Sequence, residues 1–386
     1  METPALPSEF GTSCKTETDD TTPQLNAYFL GEPAFEELMQ LRTEGWKREA
    51  GDKHFETKRA VADRPDSKVK HAFLRMMKAI AEEMEDATQA FSFTKKRIRI
   101  LDLCIAPGGF TAFALQKNHM AVVDAFSLPN NEGGHDILIP HGKKNKRVRV
   151  TFTDITMLAS SFGVDNIPSE HPEAARFGTP WPYTGSYNLV ICDGQFLRTH
   201  EVADYRKNKE PRRLLNSQLI LGLQKIKTGG SMIVLLHKVE RWDTIQLLKT
   251  FSSFSDIVLF KPVKFHAQVS SFYLVAKNVQ PDSAEATAAI ARLKKSWFCA
   301  TFGSEQGGSG KETEDNNNGE DGHLDGEDGE DVSTVLSEFG AQFMELARPV
   351  WATQAQALRK ARWMQEDVAK QSGDITGEKL VKFDHE

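Results

Sequence analysis

The stretch that most constrains this chain is residues 101–115, LDLCIAPGGFTAFAL. A short apolar run ends at Asp102, turns through Ala106-Pro107-Gly108-Gly109, and restarts on a helical apolar period at Phe110. A buried strand, a glycine turn and a buried helix in that order open a strand–helix unit of the kind that builds a parallel sheet. The two glycines remove side chains where the backbone can approach a ligand, and the helix behind them offers free N–H groups. The spacing is neither GxGxxG nor GxxxxGK[ST], so dinucleotide and phosphate-loop readings gain little from it.

The rest of the chain continues the pattern. Helices are predicted over 34–50 and 66–90, the second from Phe73, Met76, Met77, Ile80 and Met84 at three- and four-residue spacing. Strand-like runs follow in RIRILDLC, MAVVDAFSL, RVRVTFTDI, YNLVICD (187–193) and GGSMIVLLH, with helices across 212–227 and in DTIQLLKTFSSF. DIVLFK and SSFYLVAKN close as two more strands, and a helix near 284–298 follows. Val, Ile and Leu strands alternating with helices predict an α/β fold, a mostly parallel sheet with helices on both faces. Beyond 332 a further helix, 333–370, carries Leu336, Phe339, Phe343, Leu346 and Val350 on one face, free to dock on the domain or on a protein partner. The expected divisions are a disordered 1–30, a helical extension 31–96, the main domain 97–300, an acidic disordered linker 301–332, and a C-terminal helix and tail 333–386.

Net charge is −6, but residues 303–332 hold eleven Asp or Glu against one Lys, a local −10 that leaves the rest near +4. That segment has too little apolar content to offset ordering entropy and reads as a disordered linker. No apolar run approaches the ~20 residues of a membrane helix. The opening residues carry no basic start or apolar core of a secretory signal. Cys14, Cys104, Cys192 and Cys299 lie far apart without metal-ligand spacing, and two sit in core strands, as expected of a reducing compartment. No metal site is expected, and the cytoplasm or nucleus is the expected location.

LDLCIAPGGFTAFAL resembles the first motif of the FtsJ-like ribose 2′-O-methyltransferases. TFTDI, YNLVICDG, IKTGGSMIVLLH and SSFYLVAKN stand in the order the family requires, over roughly 97–279. The resemblance implies a Rossmann-like domain with an antiparallel last strand, S-adenosylmethionine as cofactor, and RNA as methyl acceptor. Carried over by position, it places Pro107, Gly108, Gly109 and Phe110 at the methionine and ribose parts of the cofactor. Asp102 falls beside the turn, Asp154 at the adenine amino group, and Asp193 where donor and acceptor meet. The acidic residue ending the second strand has no clear counterpart: Asp124 is two residues early and Phe126 holds the equivalent place.

The resemblance also implies a Lys-Asp-Lys-Glu catalytic set, and here the sequence departs from it. Asp193 matches the Asp, but Leu235 stands at the second Lys and Ser271 at the Glu. Lys238, three residues on, is the substitute candidate, and Lys70 or Lys78 the candidate first lysine. Two basic loops, GKKNKRVRV and YRKNKEPRR, suit phosphate contacts; in the second, Arg206, Lys207, Lys209, Arg212 and Arg213 are the candidate RNA contacts. Three functions are therefore open. One is an RNA ribose methyltransferase, one a catalytically impaired cofactor-binding module of the same fold, and one a methyltransferase for a small molecule or protein. The long proline-rich 163–186 segment is a candidate substrate cover.

Overall fold

The computed structural model describes residues 21–63, 65–197, 200, 202–303 and 331–365. Expectations for 1–20, for most of the acidic linker and for the tail beyond 365 lie outside the described residues. Four helices come first: α1 (Thr22–Phe29), α2 (Pro33–Trp46), α3 (Glu49–Asp63) and α4 (Ser67–Thr88). The alternating region follows as β1 (Arg99–Asp102), α5 (Gly109–Lys117), β2 (Val122–Ser127), β3 (Val148–Phe152), β4 (Tyr187–Cys192) and α6 (Glu210–Lys225). It continues through β5 (Ile226–His237), α7 (Trp242–Ser252), β6 (Asp256–Phe260), β7 (Ser271–Val279) and α8 (Ala284–Phe302), and α9 (Val332–Arg359) closes the described chain.

The seven strands form one sheet in the order β3-β2-β1-β4-β5-β7-β6. β7 alone runs antiparallel, inserted between β5 and β6. The strand order reverses between β1 and β4, so the crevice beyond their carboxyl ends is where such a sheet binds a ligand. Helices cover both faces. Ile80, Met84, Phe110 and Ala114 from α4 and α5 pack against Ile100, Leu189, Ile191 and Ile233. On the other face Leu219, Leu223, Ile245 and Trp297 pack against Leu101, Val190, Met232 and Val234.

Local chemistry sets α4 over the crevice. The Asp66 side chain accepts from the Val69 amide at 2.8 Å and caps the helix. At the far end Gln89 turns out with φ +55°.

The open choice for the C-terminal helix is resolved in favour of the chain's own domain. Phe343 and Trp351 of α9 meet Phe29 and Phe35 at ring distances of 5.5 Å (Phe29–Phe343) and 5.1 Å (Phe35–Trp351). Arg42 of α2 pairs with Glu240 after β5, whose other oxygen accepts from the Trp351 indole at 3.3 Å. Residues 22–29, expected to be disordered, form α1 because Leu25 and Phe29 have this aromatic cluster to bury into. Cys104 and Cys192 are free thiols, whereas Cys299 is disulfide-bonded, which departs from the expectation of a reducing compartment. Among the described residues no helix is long and apolar enough to cross a membrane.

Candidate active site

A cavity of about 760 Å³ lies at the carboxyl edge of the sheet, in the size range of cofactor and small-molecule sites. Its floor comes from the turn after β1 (Leu103, Cys104, Ala106, Pro107) and from Asp193-Gly194-Gln195-Phe196 after β4. One wall is the end of β2 with Ser127, Leu128, Asn131 and Glu132; another is Thr153 and Asp154 after β3. Phe73, Met76 and Met77 of α4 cover it, while Leu235, Tyr273 and His266 close the far end.

The glycine turn is built for packing first. Gly108 has φ +108°, and a Cβ there would come within 2.9 Å of Ile139. A Cβ on Gly109 would sit 2.4 Å from Met77 Cβ and 2.8 Å from the Leu74 carbonyl oxygen, so this glycine lets α4 cross α5. Neither glycine lines the cavity, whereas Pro107 does. Phe110 is buried between Phe91 and Tyr273 and does not line the cavity. Asp102 lies behind the turn, where it accepts from Thr111 Oγ1 at 2.6 Å and from the Cys104 amide at 3.4 Å. Burial pushes its carboxyl up to about 6.

The acidic positions divide in the same way. Asp154 lines the cavity, capping the short turn Ile155–Met157 through the Thr156 amide at 3.0 Å. Burial alone would raise its pKa, but Arg206, Arg213 and the Thr156 hydrogen bonds hold it below the usual range. Asp124 is excluded from the cavity. It sits mid-strand, 1% exposed, and takes Arg99 at 2.8 Å, Arg149 at 2.6 Å and the Tyr187 hydroxyl at 2.9 Å. Phe126, in the place of the missing strand-end acid, is buried against Trp181 and Tyr183.

Asp193 lines the cavity just after β4. Burial and then the charge of Asp102 push it up to about 8, against a lowering hydrogen bond from the Tyr273 hydroxyl at 3.1 Å. The candidate lysines are not beside it. Lys78 is exposed on α4. Lys238 takes a left-handed φ of +47° after β5, its amide donating to Ser270 O at 3.1 Å, and it does not line the cavity. Lys70 does line the cavity, ion-paired to Asp136 at 2.7 Å. Leu235 fills the place of the second lysine as part of the wall, and Ser271 is buried with its carbonyl accepting from Lys261 Nζ at 2.6 Å. Lys261 also donates to His266 O at 2.8 Å; it braces the 262–270 loop, and burial pushes its ammonium down to about 7.

The expected RNA-contact loop is largely interior. Arg206 is 1% exposed and holds Glu210 at 2.9 Å, Glu173 at 2.9 Å and Asp154 at 3.3 Å. Arg213, wholly buried, pairs with Glu210 at 2.6 Å and donates to Thr301 Oγ1 at 2.9 Å. Arg212 donates to Ser296 Oγ at 2.8 Å. These arginines brace the Asp154 wall, which removes Arg206 and Arg213 as phosphate contacts; Lys207 is exposed and Lys209 half-buried. The 163–186 segment is anchored to the domain, with Phe177 buried on Trp297 and Phe302 and Tyr183 donating to Ala125 O at 2.8 Å, and its Arg176 lines the cavity.

Glu132 and His135, from the polar SLPNNEGGH run that can replace the strand-end acid, line the cavity, and Asp136, Gln195 and His200 line it without having been singled out in the sequence. Among the described residues no cluster of His, Cys, Asp or Glu is placed to hold a metal.

A Rossmann-like sheet with an acid-lined crevice at its switch point is the setting in which such folds bind a ligand. The FtsJ-like methyltransferase model matches residues 81–279, and the chain belongs to that family. A cap-specific mRNA (nucleoside-2′-O-)-methyltransferase of Autographa californica nuclear polyhedrosis virus is 27% identical over 184 residues, 46% of this chain. The chain spans 63% of the length of that curated relative. Solved structures resembling it include a putative ribosomal RNA methyltransferase from Plasmodium falciparum (17% identity, 52% of this chain and 96% of that one, TM-score 0.33). Human methyltransferase-like protein 13, in complex with SAH, is 12% identical over 63% of this chain and 97% of that one, with a TM-score of 0.31.

The cofactor of this family is S-adenosylmethionine, and the cavity's own chemistry fits it. Carboxyls at Asp193, Asp154, Asp136 and Glu132 would suit the cofactor's cationic groups, and the apolar surface of Leu128, Ile155 and Leu214 would suit its nucleobase.

Proposed function

We propose that this protein is an S-adenosylmethionine-dependent methyltransferase whose acceptor is the ribose 2′-hydroxyl of RNA. Family membership over 81–279 carries the reading, and the half-buried Asp193, lining the cavity after β4, supports it. The domain that does this is 97–300, within an intracellular protein. The bound cofactor supplies the methyl group. Asp193, held by Tyr273, orients the acceptor hydroxyl; the apolar wall of Phe73, Met76, Met77 and Leu235 excludes water from it. Holding two groups in reacting geometry supplies a large share of such a barrier without a strong base. The test is calorimetric titration with S-adenosylmethionine, joined to radiolabelled methyl transfer to RNA and nucleoside analysis of the product. Cofactor binding with label in 2′-O-methylnucleosides is the expected result. Cofactor binding with label in any other acceptor refutes the ribose assignment.

One observation favours a second reading. Leu235 and Ser271 remove a cation and an anion from the catalytic set, and no other lysine ammonium free of an ion pair lines the cavity among the described residues. A cofactor-binding module without turnover follows if binding is seen and no acceptor is labelled.

A further inference from the structure

Arg206 and Arg213, expected to touch RNA, are spent inside the wall, yet a different basic surface lies beside the cavity. On α4 the ridge Lys68, His71, Arg75 and Lys78 follows i, i+3, i+7, i+10 spacing, and all four residues are exposed. The adjacent ridge of the same helix, Lys70, Phe73, Met76 and Met77, lines the cavity. Further along, the exposed ridge turns acidic at Glu82 and Asp86.

This order of charge runs against helix stability. The macrodipole favours acids in the first turns and bases in the last, and lysine placed before glutamate is the weaker i,i+4 arrangement. Here the bases occupy the N-terminal half, next to the cavity, and the acids the other half. Among the described residues Lys68, Arg75 and Lys78 form no ion pair. A charge pattern that costs the helix something, left without internal partners and confined to the cavity end, calls for an external anion.

We propose that the α4 ridge Lys68-Arg75-Lys78 is the phosphate track that leads an RNA strand to the cavity; this rests on the RNA reading above. Ten residues of helix extend about 15 Å. Over that length the three cations can each meet a phosphate of one strand. The track carries no base-reading groups, so it positions RNA without selecting sequence.

The test uses the full chain and a fluorescein-labelled single-stranded RNA of about 20 nucleotides and mixed sequence, followed by anisotropy across a salt series. Removing three phosphate contacts in K68Q/R75Q/K78Q lowers the slope of log K against log salt by about 2, and weakens binding about tenfold or more at low salt. S-adenosylmethionine affinity stays at the parent value and the melting temperature does not fall, because all three side chains are exposed and their charges oppose the helix dipole. The comparison variant K207Q/K209Q changes the slope by less than half as much. An unchanged slope in the α4 variant, with the parent binding RNA, overturns the track and leaves the RNA reading standing. Tighter RNA binding by the variant also overturns it, since the ridge then holds an acidic protein segment such as 303–332. A parent protein that binds cofactor but no RNA overturns both.

Discussion

The Tyr273 hydroxyl donates to Asp193 Oδ1 across 3.1 Å, joining the antiparallel strand β7 to the end of β4 inside the cavity. Leu235 is the register partner of Tyr273 on β5, so the aromatic ring reaches over the position where the family carries a lysine. The hydrogen bond lowers the Asp193 pKa, against burial and Asp102, which raise it. Tyr273→Phe therefore moves the Asp193 titration above about 8, read from the carboxyl ¹³C shift in protein labelled at aspartate. No upward movement would separate the hydroxyl from the carboxyl's chemistry.

Asp193 also fixes a pH dependence. Its carboxyl titrates at about 8 when folded and starts from 3.8 when unfolded. Between those values the folded chain keeps a proton that the unfolded chain has lost, so stability falls as pH rises through the window. Asp193→Asn has no proton to lose. The variant's unfolding free energy should gain on the parent's steadily from pH 5 to pH 8 in denaturant titrations, with a difference of up to a few kcal/mol at the upper end. Asp102, raised to about 6, titrates in the same direction in both proteins and does not reverse the trend.

The buried arginines make a separate, structural prediction. Arg206→Ala leaves Glu210, Glu173 and Asp154 without their shared cation and should destabilise the protein by about 3–5 kcal/mol in denaturant unfolding. Lys207→Ala, at an exposed neighbour, should stay within about 0.5 kcal/mol of the parent. Equal effects at the two positions would mean that Arg206 is solvated rather than interior.

Period and punctuation made the sheet legible: β1, β4, β5 and β7 are apolar runs bounded by Asp, Gly or Lys, and their order along the chain follows from short connections. The carboxyls at Asp154 and Asp193 were legible too, because both end a strand on the side where ligands bind. What failed were residues whose role depends on a partner far away in sequence. Arg206 and Arg213 read as a basic loop until Glu173, Asp154 and Thr301 are folded around them. Phe110 and Gly109 read as cofactor contacts because a glycine turn serves a ligand or a crossing helix equally well, and only the position of α4 decides. Helix α1 was unreadable because its two buried side chains take their environment from α2 and α9, the latter some 300 residues away in sequence.

Gly109 tests that distinction. A Cβ there meets Met77 Cβ at 2.4 Å and the backbone of Leu74 and Lys78 at 2.8 Å, so relief requires moving a helix rather than turning a side chain. Gly109→Ala should cost about 1–3 kcal/mol in unfolding free energy. A variant as stable as the parent but weakened in cofactor binding would return this glycine to the ligand.

Leu235→Lys asks whether the altered catalytic set limits the reaction. Leu235 is 9% exposed and lines the cavity beside Tyr273, so a lysine here places its ammonium near the Asp193 carboxyl. A neighbouring cation favours the charged carboxylate and brings Asp193 down from about 8. Replacing a buried leucine with a long cationic chain should lower stability by about 1–3 kcal/mol. If proton removal limits transfer, the new amine raises single-turnover methyl transfer to RNA by about 10²-fold or more, with cofactor affinity little changed. A lowered Asp193 pKa without faster transfer would show that Leu235 is not what limits the rate, and would shift the weight onto the loss of the glutamate at Ser271.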